Sequence, residues 1–530
     1  MPVDSEWGQT PVIAGGALGG LNTTTVPSQV PPNQLVVADN VTFGTRQTWK
    51  KRGGLVAQNS VVATGMDDIV KLIDYWESTG SHDRIAVSGT GVYKDDIDGT
   101  WDNASGTITV NEDPIVTHCI VGDELILAFD ATIPYAYDTT TGNVTSCTPA
   151  VCPNGDLVAE HLGRLWINDK SNPHKINYTG VTSAGDGDPR AWALADGGGG
   201  FLIEPDDGDP EGITAIWKSP WDTLMVSKQK SIYEIQGRTL NTFTPVRVVE
   251  GIGCVSQNMV VTIGNDCFFP SLDGFHSLSL LRSGNMDPNA FLSRDIHETY
   301  HTKLNQSRIK YGHGAYIPDL RSIVWAVPGR GQSNNKIALV YNLTTRAWTK
   351  WTNFKCDSLM SYYNGTDNKV ELWTGGDIGY VYKYDKAVLV DYNSSAIKME
   401  LKSGQIYPSQ RFSDMWGWKW FNLLLSPKVN SSIDLSYRID REKDSAGVLI
   451  RTTETIEQGA DNAVDFLGDT FVLGTSVLGS DVFEEPMSIE LSGEGRAIEW
   501  RIQNNTPGED LEVVGYTIEI DDLSKQRGAA

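Results

Sequence analysis

Short runs of apolar residues recur along most of the chain, and in many of them apolar and polar positions alternate. Clear examples of the short apolar runs are residues 69–75, 124–129 and 322–327. A period of two is typical of β-strands that bury one face. Runs with the period of an amphipathic helix are rare, and the best helical candidate spans residues 292–310. The pattern predicts an all-β protein.

Between residues 56 and 385 the strand runs form a loose repeat of roughly 40–50 residues, the length of a four-stranded propeller blade. The 53 Gly and 23 Pro residues of the chain supply turns for many short strands. A single four-stranded unit leaves both sheet faces bare, and packing the units radially covers them. The repeat predicts a β-propeller of about 6–7 blades. An array of β-sandwiches is the structural alternative, because neither a regularly repeated Trp-Asp signature nor a strict kelch motif is present.

The two flanks of this repeat differ from it in composition. Residues 1–55 are rich in Gly and Pro and predict an extended N-terminal arm with little core of its own. Residues 386–530 alternate at a period of two and predict an antiparallel β-sandwich with an acidic surface. No Lys or Arg occurs between Arg451 and Arg496. We therefore expect three domains, at 1–55, 56–385 and 386–530.

Charge and hydropathy narrow the classes of function. The chain has 43 basic and 67 acidic residues, a net charge of −24. A protein that grips nucleic-acid phosphates needs clustered Lys and Arg, which this balance argues against. No apolar run has the roughly 18 residues expected of a membrane span. The acidic start has no signal-peptide pattern, so we expect the protein to be made and kept in a cytosol, or assembled there.

The most specific catalytic pattern is His297-Glu298-Thr299-Tyr300-His301. On a helix, histidines four residues apart share a face and can bind Zn²⁺, and the intervening Glu can activate water. Neither a Gly nor a carboxylate at a recognised spacing follows to complete the site. Zinc hydrolysis is therefore a minor alternative, and a surface helix with two solvated histidines is favoured.

Other candidate sites have comparably simple structural explanations. The acidic stretches 186–188 and 204–211 lack the ligand register of an EF-hand and predict a solvated loop. The segment 271–275 has the composition of a β-turn, with Asp273 and Gly274 in their usual places. Trp416, Trp418 and Trp420 alternate on a predicted strand, so that one face could stack a sugar, although core or interface packing is favoured.

The six cysteines are expected mainly as buried apolar residues. Cys147 and Cys152 are the only closely spaced pair, and a bridge between them is the alternative. We predict no catalytic, cofactor-binding or metal-binding residues and no cofactor, so the chain is expected not to be an enzyme.

A series of N-terminal motifs is Gly19-Gly-Leu-Asn22, Pro27, Pro31, Asn40 and Lys51-Arg-Gly-Gly54. Further motifs spread over nearly the whole chain, at 205–216, 227–237, 253–256, 268–275, 341–348 and 518–528. Together they resemble virion proteins of tailed bacteriophages, and the N-terminal series is the sharpest match.

The resemblance implies a structural β-propeller protein of a short-tailed (podovirus-type) phage, similar to the tail nozzle, tail tubular protein B, or head–tail ring-stabilising proteins. Such proteins form homo-oligomeric rings, expected here to be six-fold, beneath the portal and adaptor, with neighbouring tail or adaptor proteins as partners. Double-stranded DNA would pass through the ring during ejection without specific binding or membrane insertion. The expected location is the virion tail, after assembly in the host cytoplasm. A glycan-binding or glycan-cleaving receptor-recognition propeller is the main alternative.

Overall fold

The computed structural model describes residues 12–523 of the 530-residue chain. The gaps within this range are 17–18, 45–46, 81, 90, 96–98, 107, 109, 111–113, 130–131, 140, 148–151, 182–189, 205–211, 283–289, 377, 393, 410–411, 427–430, 441–451 and 459–484.

Nearly all regular structure in the described residues is β-strand. In chain order the strands are β1 (Val12–Gly16), β2 (Leu35–Asp39), β3 (Val41–Phe43), β4 (Trp49–Lys51), β5 (Gly54–Ala57), β6 (Ile69–Trp76), β7 (His82–Ser88), β8 (Val92–Asp95), β9 (Asp102–Asn103), β10 (Thr117–Val121), β11 (Glu124–Ala128), β12 (Tyr135–Asp138), β13 (Asn143–Ser146), β14 (Val158–His161), β15 (Arg164–Asn168), β16 (Lys175–Tyr178), β17 (Gly199–Leu202), β18 (Ala215–Lys218), β19 (Leu224–Ser227), β20 (Ser231–Gln236), β21 (Thr244–Glu250), β22 (Val261–Ile263), β23 (Asp266–Pro270), β24 (Phe275–Ser277), β25 (His313–Ile317), β26 (Ser322–Pro328), β27 (Asn335–Asn342), β28 (Ala347–Thr352), β29 (Ser358–Asn364), β30 (Lys369–Gly375), β31 (Val381–Asp385), β32 (Val390–Asp391), β33 (Ser395–Ala396), β34 (Met399–Ser403), β35 (Trp416–Leu425), β36 (Ser431–Ile439), β37 (Thr452–Gln458), β38 (Glu485–Glu490), β39 (Glu494–Gly495), β40 (Ile498–Asn504) and β41 (Glu512–Asp522).

Helices are few and short. The α-helices of the described residues are α1 (Leu278–Arg282) and α2 (His297–Lys303), and the 3-10 helices are Leu194–Asp196, Gln257–Met259, Arg294–Ile296, Gln306–Tyr311 and Pro318–Leu320. Within the same ranges, none of the helices combines the length and apolar composition needed to cross a lipid bilayer. The best helical candidate, 292–310, is thus a short α-helix with 3-10 turns on either side.

The chain divides into two compact units. One unit contains residues 1–55, 341–352 and 385–530, and the other contains residues 56–340 and 353–384. We call them the terminal unit and the central unit.

The central unit consists of small antiparallel sheets that follow one another along the chain. We number them as sheet 1 (β6–β9), sheet 2 (β10–β13), sheet 3 (β14–β17), sheet 4 (β18–β21), sheet 5 (β22–β24), sheet 6 (β25–β27, the strands of a larger sheet that lie in this unit) and sheet 7 (β29–β31, with β5 beside β31). Apart from β5 in sheet 7, each sheet is built by joining strands that are neighbours in sequence, as the short turns between the alternating runs require. The prediction of an all-β chain made of many small antiparallel sheets is confirmed.

Hydrophobic side chains fill the spaces between consecutive sheets. Clusters of buried residues join sheets 1 and 2, 2 and 3, 3 and 4, and 4 and 5. Phe275 of sheet 5 stacks on Trp325 of sheet 6 with ring centroids 4.2 Å apart, and Ser361 of sheet 7 donates to the Tyr316 carbonyl of sheet 6. Another cluster joins sheet 7 to sheet 1 and includes Trp373 and Leu72. Each sheet therefore buries its faces against its neighbours, as a lone sheet could not.

The outer strand of sheet 3 is β17, which begins with two glycines. A Cβ on Gly199 would lie 2.7 Å from the Tyr178 hydroxyl, and one on Gly200 would lie 2.4 Å from the Asn177 amide oxygen. Glycine is needed here because only it allows β17 this close to the side chains of β16.

The predicted N-terminal arm is wrong for the residues that the structure describes. Strands β1 and β4 pair antiparallel with β41, and β2 pairs with β34. Leu35 and Trp49 are fully buried. Residues 1–55 have too few apolar positions to form a core, but enough for these strands to extend sheets made of C-terminal strands. The density of Gly and Pro gave no sign of this long-range pairing.

Two sheets of the terminal unit share an aromatic cluster. One sheet has the order β3-β4-β41-β35-β38, with β1 beside β41 and β39 beside β35, and the other includes β28-β2-β34-β40-β36-β37. Trp500 on β40 is fully buried. Its ring centroid lies 6.5 Å from that of Trp49, 5.9 Å from that of Phe421 and 4.7 Å from that of Tyr516. All three partners belong to the first sheet.

Candidate functional site

The His-Glu-x-x-His pattern lies on α2. The residues of this helix that the fold buries are Thr299 and Tyr300, between the Glu and the second His. Tyr300 donates a 2.6 Å hydrogen bond from its hydroxyl to the Ser271 carbonyl and packs edge-on against Phe275. The rings of His297 and His301 meet edge to face, with centroids 4.3 Å apart. Among the described residues, no group of three or more His, Cys, Asp or Glu side chains is placed to hold a metal ion. The pattern is explained here by the anchoring of a short helix through Tyr300.

The structure describes some of the other candidate residues: Glu204, residues 271–275 and the six cysteines. Residues 186–188 and 205–211 lie outside the described residues, and Glu204 accepts a hydrogen bond from the Tyr233 hydroxyl at 3.1 Å. Residues 271–274 connect β23 to β24, which begins at Phe275, and the Ser271 hydroxyl accepts from the Asp273 amide at 3.0 Å, as expected of a turn. None of the six cysteines, all of which are described, forms a disulfide, so Cys147 and Cys152 are not bridged.

The three tryptophans at 416–420 do not share one face of their strand. In β35, Trp418 pairs with Ile520, whereas Trp420 pairs with the adjacent Glu519, so a β-bulge lies between them. A bulge adds a residue and reverses the alternation beyond it. Trp418 is consequently 3% exposed and Trp420 is 38% exposed. A common stacking face for the three rings, one of the two readings of the sequence, is not formed.

The motif residues behind the phage resemblance form a buried polar network in the terminal unit. The Arg52 guanidinium donates to both Asp391 carboxylate oxygens, at 2.9 and 2.6 Å, and to the Asn40 amide oxygen at 2.9 Å. A Cβ on Gly53 or Gly54 would lie 2.2 or 1.9 Å from a backbone carbonyl oxygen of the neighbouring segment. These positions therefore require Arg and Gly for packing and charge pairing.

The first strands of the seven sheets in the central unit line one cavity of about 570 Å³. Lys71, His118, Glu160, Lys218 and Ser361 are polar residues of its wall, contributed by sheets 1, 2, 3, 4 and 7. Sheets 5 and 6 contribute through residues 257–262 and Gly314. We call this space the central cavity. Its volume is in the range of small-molecule pockets.

The 3-10 helix Gln257–Met259 of sheet 5 reaches across the central cavity. Its two amide side chains bind to four other elements. The hydrogen bonds run from Gln257 Nε2 to Val158 O (2.8 Å), from Ile216 N to Gln257 Oε1 (3.0 Å), from Asn258 Nδ2 to Val116 O (2.9 Å) and from Lys71 Nζ to Asn258 Oδ1 (2.6 Å). The helix thereby connects sheet 5 to sheets 1, 2, 3 and 4.

Lys71 is the most unusual titratable group of this cavity. Its side chain is 7% exposed, and in the described part of the chain no carboxylate pairs with it. Burial lowers the pKa of the Lys71 amine to about 7. Burial and the nearby Lys71 also lower the pKa values of His118 and His313. Three basic groups thus lie together, and their charged forms are disfavoured.

The carboxylates of the cavity wall have other partners. Asp74 is 2.5 Å from the His82 ring nitrogen. Glu160 accepts from the Gly163 amide at 2.9 Å and lies 3.5 Å from Lys218. Lys71 is not among the candidate residues predicted from the sequence. The available signal was a lysine in the middle of the apolar run 69–73, since a charge at a core position usually has a function or a partner.

Comparison with known proteins gives only distant similarity. No family model and no curated protein matches the sequence. Among solved structures, the chain is similar to the extracellular domain of BT4673 from B. thetaiotaomicron (11% identity over 72% of this chain and 45% of that one, TM-score 0.40). It is also similar to streptogramin B lyase (11%, 62% and 97%, TM-score 0.37) and to the Pan2 WD40 domain of Neurospora crassa (8%, 64% and 95%, TM-score 0.37). The chain thus spans less than half of BT4673's extracellular domain, and none of these similarities bears on function.

Proposed function

We propose that the chain is a structural, non-enzymatic β-propeller protein of a short-tailed phage tail, which forms a six-fold nozzle or ring below the portal and adaptor. In this proposal sheets 1–7 close into a seven-bladed propeller and the two sheets of the terminal unit form a β-sandwich. The chain-wide motifs carry the proposal. Two residues of the N-terminal motif series, Asn40 and Arg52, belong to the buried polar network of the terminal unit.

Closure of the propeller is supported by the packing of sheet 7 against sheet 1. Leu72 and Tyr93 of sheet 1 share a hydrophobic cluster with Trp373 and Val381 of sheet 7. Sheet 7 also takes its outermost strand, β5, from the segment that precedes sheet 1. Hydrogen bonds between β5 and β31 thus join the two ends of the repeat. Without them the edge strands at these ends would be unpaired.

Duplex DNA would have to pass through the ring of subunits and not through a single propeller. The central cavity has a volume of about 570 Å³ and is crossed by the hydrogen bonds of Gln257 and Asn258. A DNA duplex is too wide for such a space, since its major groove alone is about 12 Å wide. A passage formed by several copies with a net charge of −24 each would repel phosphates and favour sliding over binding.

The proposal is tested by measuring the amount of this chain in purified particles of the phage that encodes it. Quantitative peptide mass spectrometry should find six copies per particle after calibration against the portal protein. Absence of the chain from gradient-purified particles would rule out a virion role.

One observation favours glycan binding as a second candidate. Trp76 and Tyr363 are 40% and 42% exposed, and their ring centroids lie 6.4 Å apart. The Trp76 ring stacks on His82 at 3.7 Å, which fixes its orientation. Rigid exposed aromatic rings are suitable platforms for sugar rings. The test is a glycan array probed with the wild-type protein and with Trp76→Ala. If the aromatic rings bind glycans, the wild type should give a signal on the array and the substitution should remove it.

A further inference from the structure

The basic groups of the central cavity, Lys71 and His118, are not required by any part of the proposed tail function. We infer that the cavity binds one small oxyanion, a carboxylate or a phosphate, between the Lys71 amine and the His118 ring. Asn258 would hold the lysine in place, and the remaining cavity wall would enclose the ligand.

The placement of Lys71 is set by the backbone of β6. The pairing of β6 with β7 shifts register between Ile69 and Lys71, which marks a β-bulge. Bulges re-aim side chains, and the amine of Lys71 reaches across the cavity to Asn258 in sheet 5 at 2.6 Å. The Asn258 amide nitrogen is fixed by the Val116 carbonyl. One proton of the amine is thus directed at Asn258, and its other donors are available to a ligand.

Charge complementarity identifies the class of ligand. The groups that face Lys71 from neighbouring elements are His118 on β10 and His313 on β25, both basic. Further along the wall, Asp74 is held by His82, and Glu160 and Lys218 pair with each other. A buried amine without a described carboxylate is costly to charge. An oxyanion would supply the missing countercharge, as paired carboxylates do elsewhere in proteins.

Proton linkage gives the site a measurable signature. The pKa of Lys71 is lowered to about 7 by burial, so at pH 8 most of the amine is neutral. The histidines are neutral there as well, because their pKa values are lowered. Binding an anion to the ammonium form should take up about one proton, and the apparent Kd should rise about tenfold per pH unit between pH 8 and pH 10.

The test is isothermal titration of the full chain with inorganic phosphate and, separately, with sodium acetate. Titrations at pH 8, 9 and 10, in two buffers of different ionisation enthalpy, report affinity and proton uptake. The arm that saturates, phosphate or acetate, identifies the ligand class. Saturable binding with proton uptake by either anion is the expected result.

Three variants separate this site from general charge effects. Lys71→Met should abolish binding, and Asn258→Asp should also abolish it, because a carboxylate beside the amine replaces the ligand. Lys218→Met should leave binding unchanged, since Lys218 lines the same cavity but is paired with Asp222 at 3.0 Å and with Glu160. The inference is overturned by failure of both anions to bind at 10 mM, by undiminished binding to Lys71→Met, or by equal losses in Lys71→Met and Lys218→Met.

Discussion

Replacing Lys71 by Met should stabilise the protein at neutral pH, which is unusual for the removal of a hydrogen-bonded side chain. The folded protein holds the pKa of this amine at about 7, against 10.5 as the ordinary value. One pKa unit corresponds to about 1.4 kcal/mol, so the burial of Lys71 costs on the order of 4 kcal/mol of unfolding free energy at pH 7. Loss of the hydrogen bond to Asn258 offsets about 1 kcal/mol of the gain. We expect a net stabilisation of about 3 kcal/mol.

The sign of the pH dependence follows from which state holds the proton. Between pH 7 and pH 10.5 the unfolded chain binds the Lys71 proton and the folded chain does not, so the stability of the wild type rises with pH. The cost is present in full below pH 7 and disappears as the pH approaches 10.5. The stabilisation by Lys71→Met should therefore shrink to within about 1 kcal/mol of zero at pH 10.

Urea unfolding followed by tryptophan fluorescence at pH 7, 8, 9 and 10 measures this difference. Lys218→Met is the control, because the hydrogen bond that Lys218 donates to the Asp222 carboxylate raises the Lys218 pKa. The contribution of Lys218 is thus constant below pH 10.5 and is lost only above it. A stability difference between wild type and Lys71→Met that stays constant over this range would mean that Lys71 is charged and paired in the fold, and the reasoning would be wrong.

Three further predictions concern the terminal unit and are measured by urea unfolding followed by circular dichroism. Arg52→Lys should lower the unfolding free energy by about 3 kcal/mol, because it breaks a buried bidentate pair; Arg501→Lys, in a 33% exposed pair with Glu400, should cost less than about 1 kcal/mol. Equal effects would refute the role given to burial. Trp418→Ala should cost about 3–5 kcal/mol and Trp420→Ala less than about 1 kcal/mol, whereas a shared face would make the two alike. Gly20→Ala should cost about 1–3 kcal/mol, since its Cβ would lie 2.3 Å from a backbone oxygen; a neutral result would show that the segment can move.

The sheets of the central unit were predictable because their pairing is local. Strands such as β6 and β7 are close in sequence, so alternation and turn residues are sufficient to indicate a hairpin. The pairing of β1 with β41 joins residues about 500 positions apart. Nothing within a window of ten or twenty residues specifies that partner, and the N-terminal segment was accordingly expected to be an arm.

The candidate site was largely beyond prediction for the same reason. Lys71 and Asn258 are separated by 187 positions and meet only because sheets 1 and 5 face the same cavity. The His297–His301 pattern shows the opposite failure. Its spacing satisfies the rule for a zinc helix, yet the fold uses the intervening Tyr300 as a buried anchor. The spacing of two histidines indicates that they share a helix face. A third metal ligand has to be supplied by another part of the fold, which the spacing does not specify.

The bulge in β35 shows how one residue changes an inference about function. Strict alternation would have put Trp418 and Trp420 on one face, but the extra residue between them turns one inward and the other outward. Assigning side chains to faces from sequence assumes that the strand has no bulge. In this segment no residue type marks the position of the bulge.

The most direct test of the proposed function is a symmetry-averaged electron cryo-microscopy reconstruction of the phage tail. We predict six copies of this chain around the tail axis, each with seven radially packed sheets and with its central cavity off the DNA path. Density for the chain in a trimeric peripheral fibre, or with DNA running through the centre of a single copy, would contradict the account.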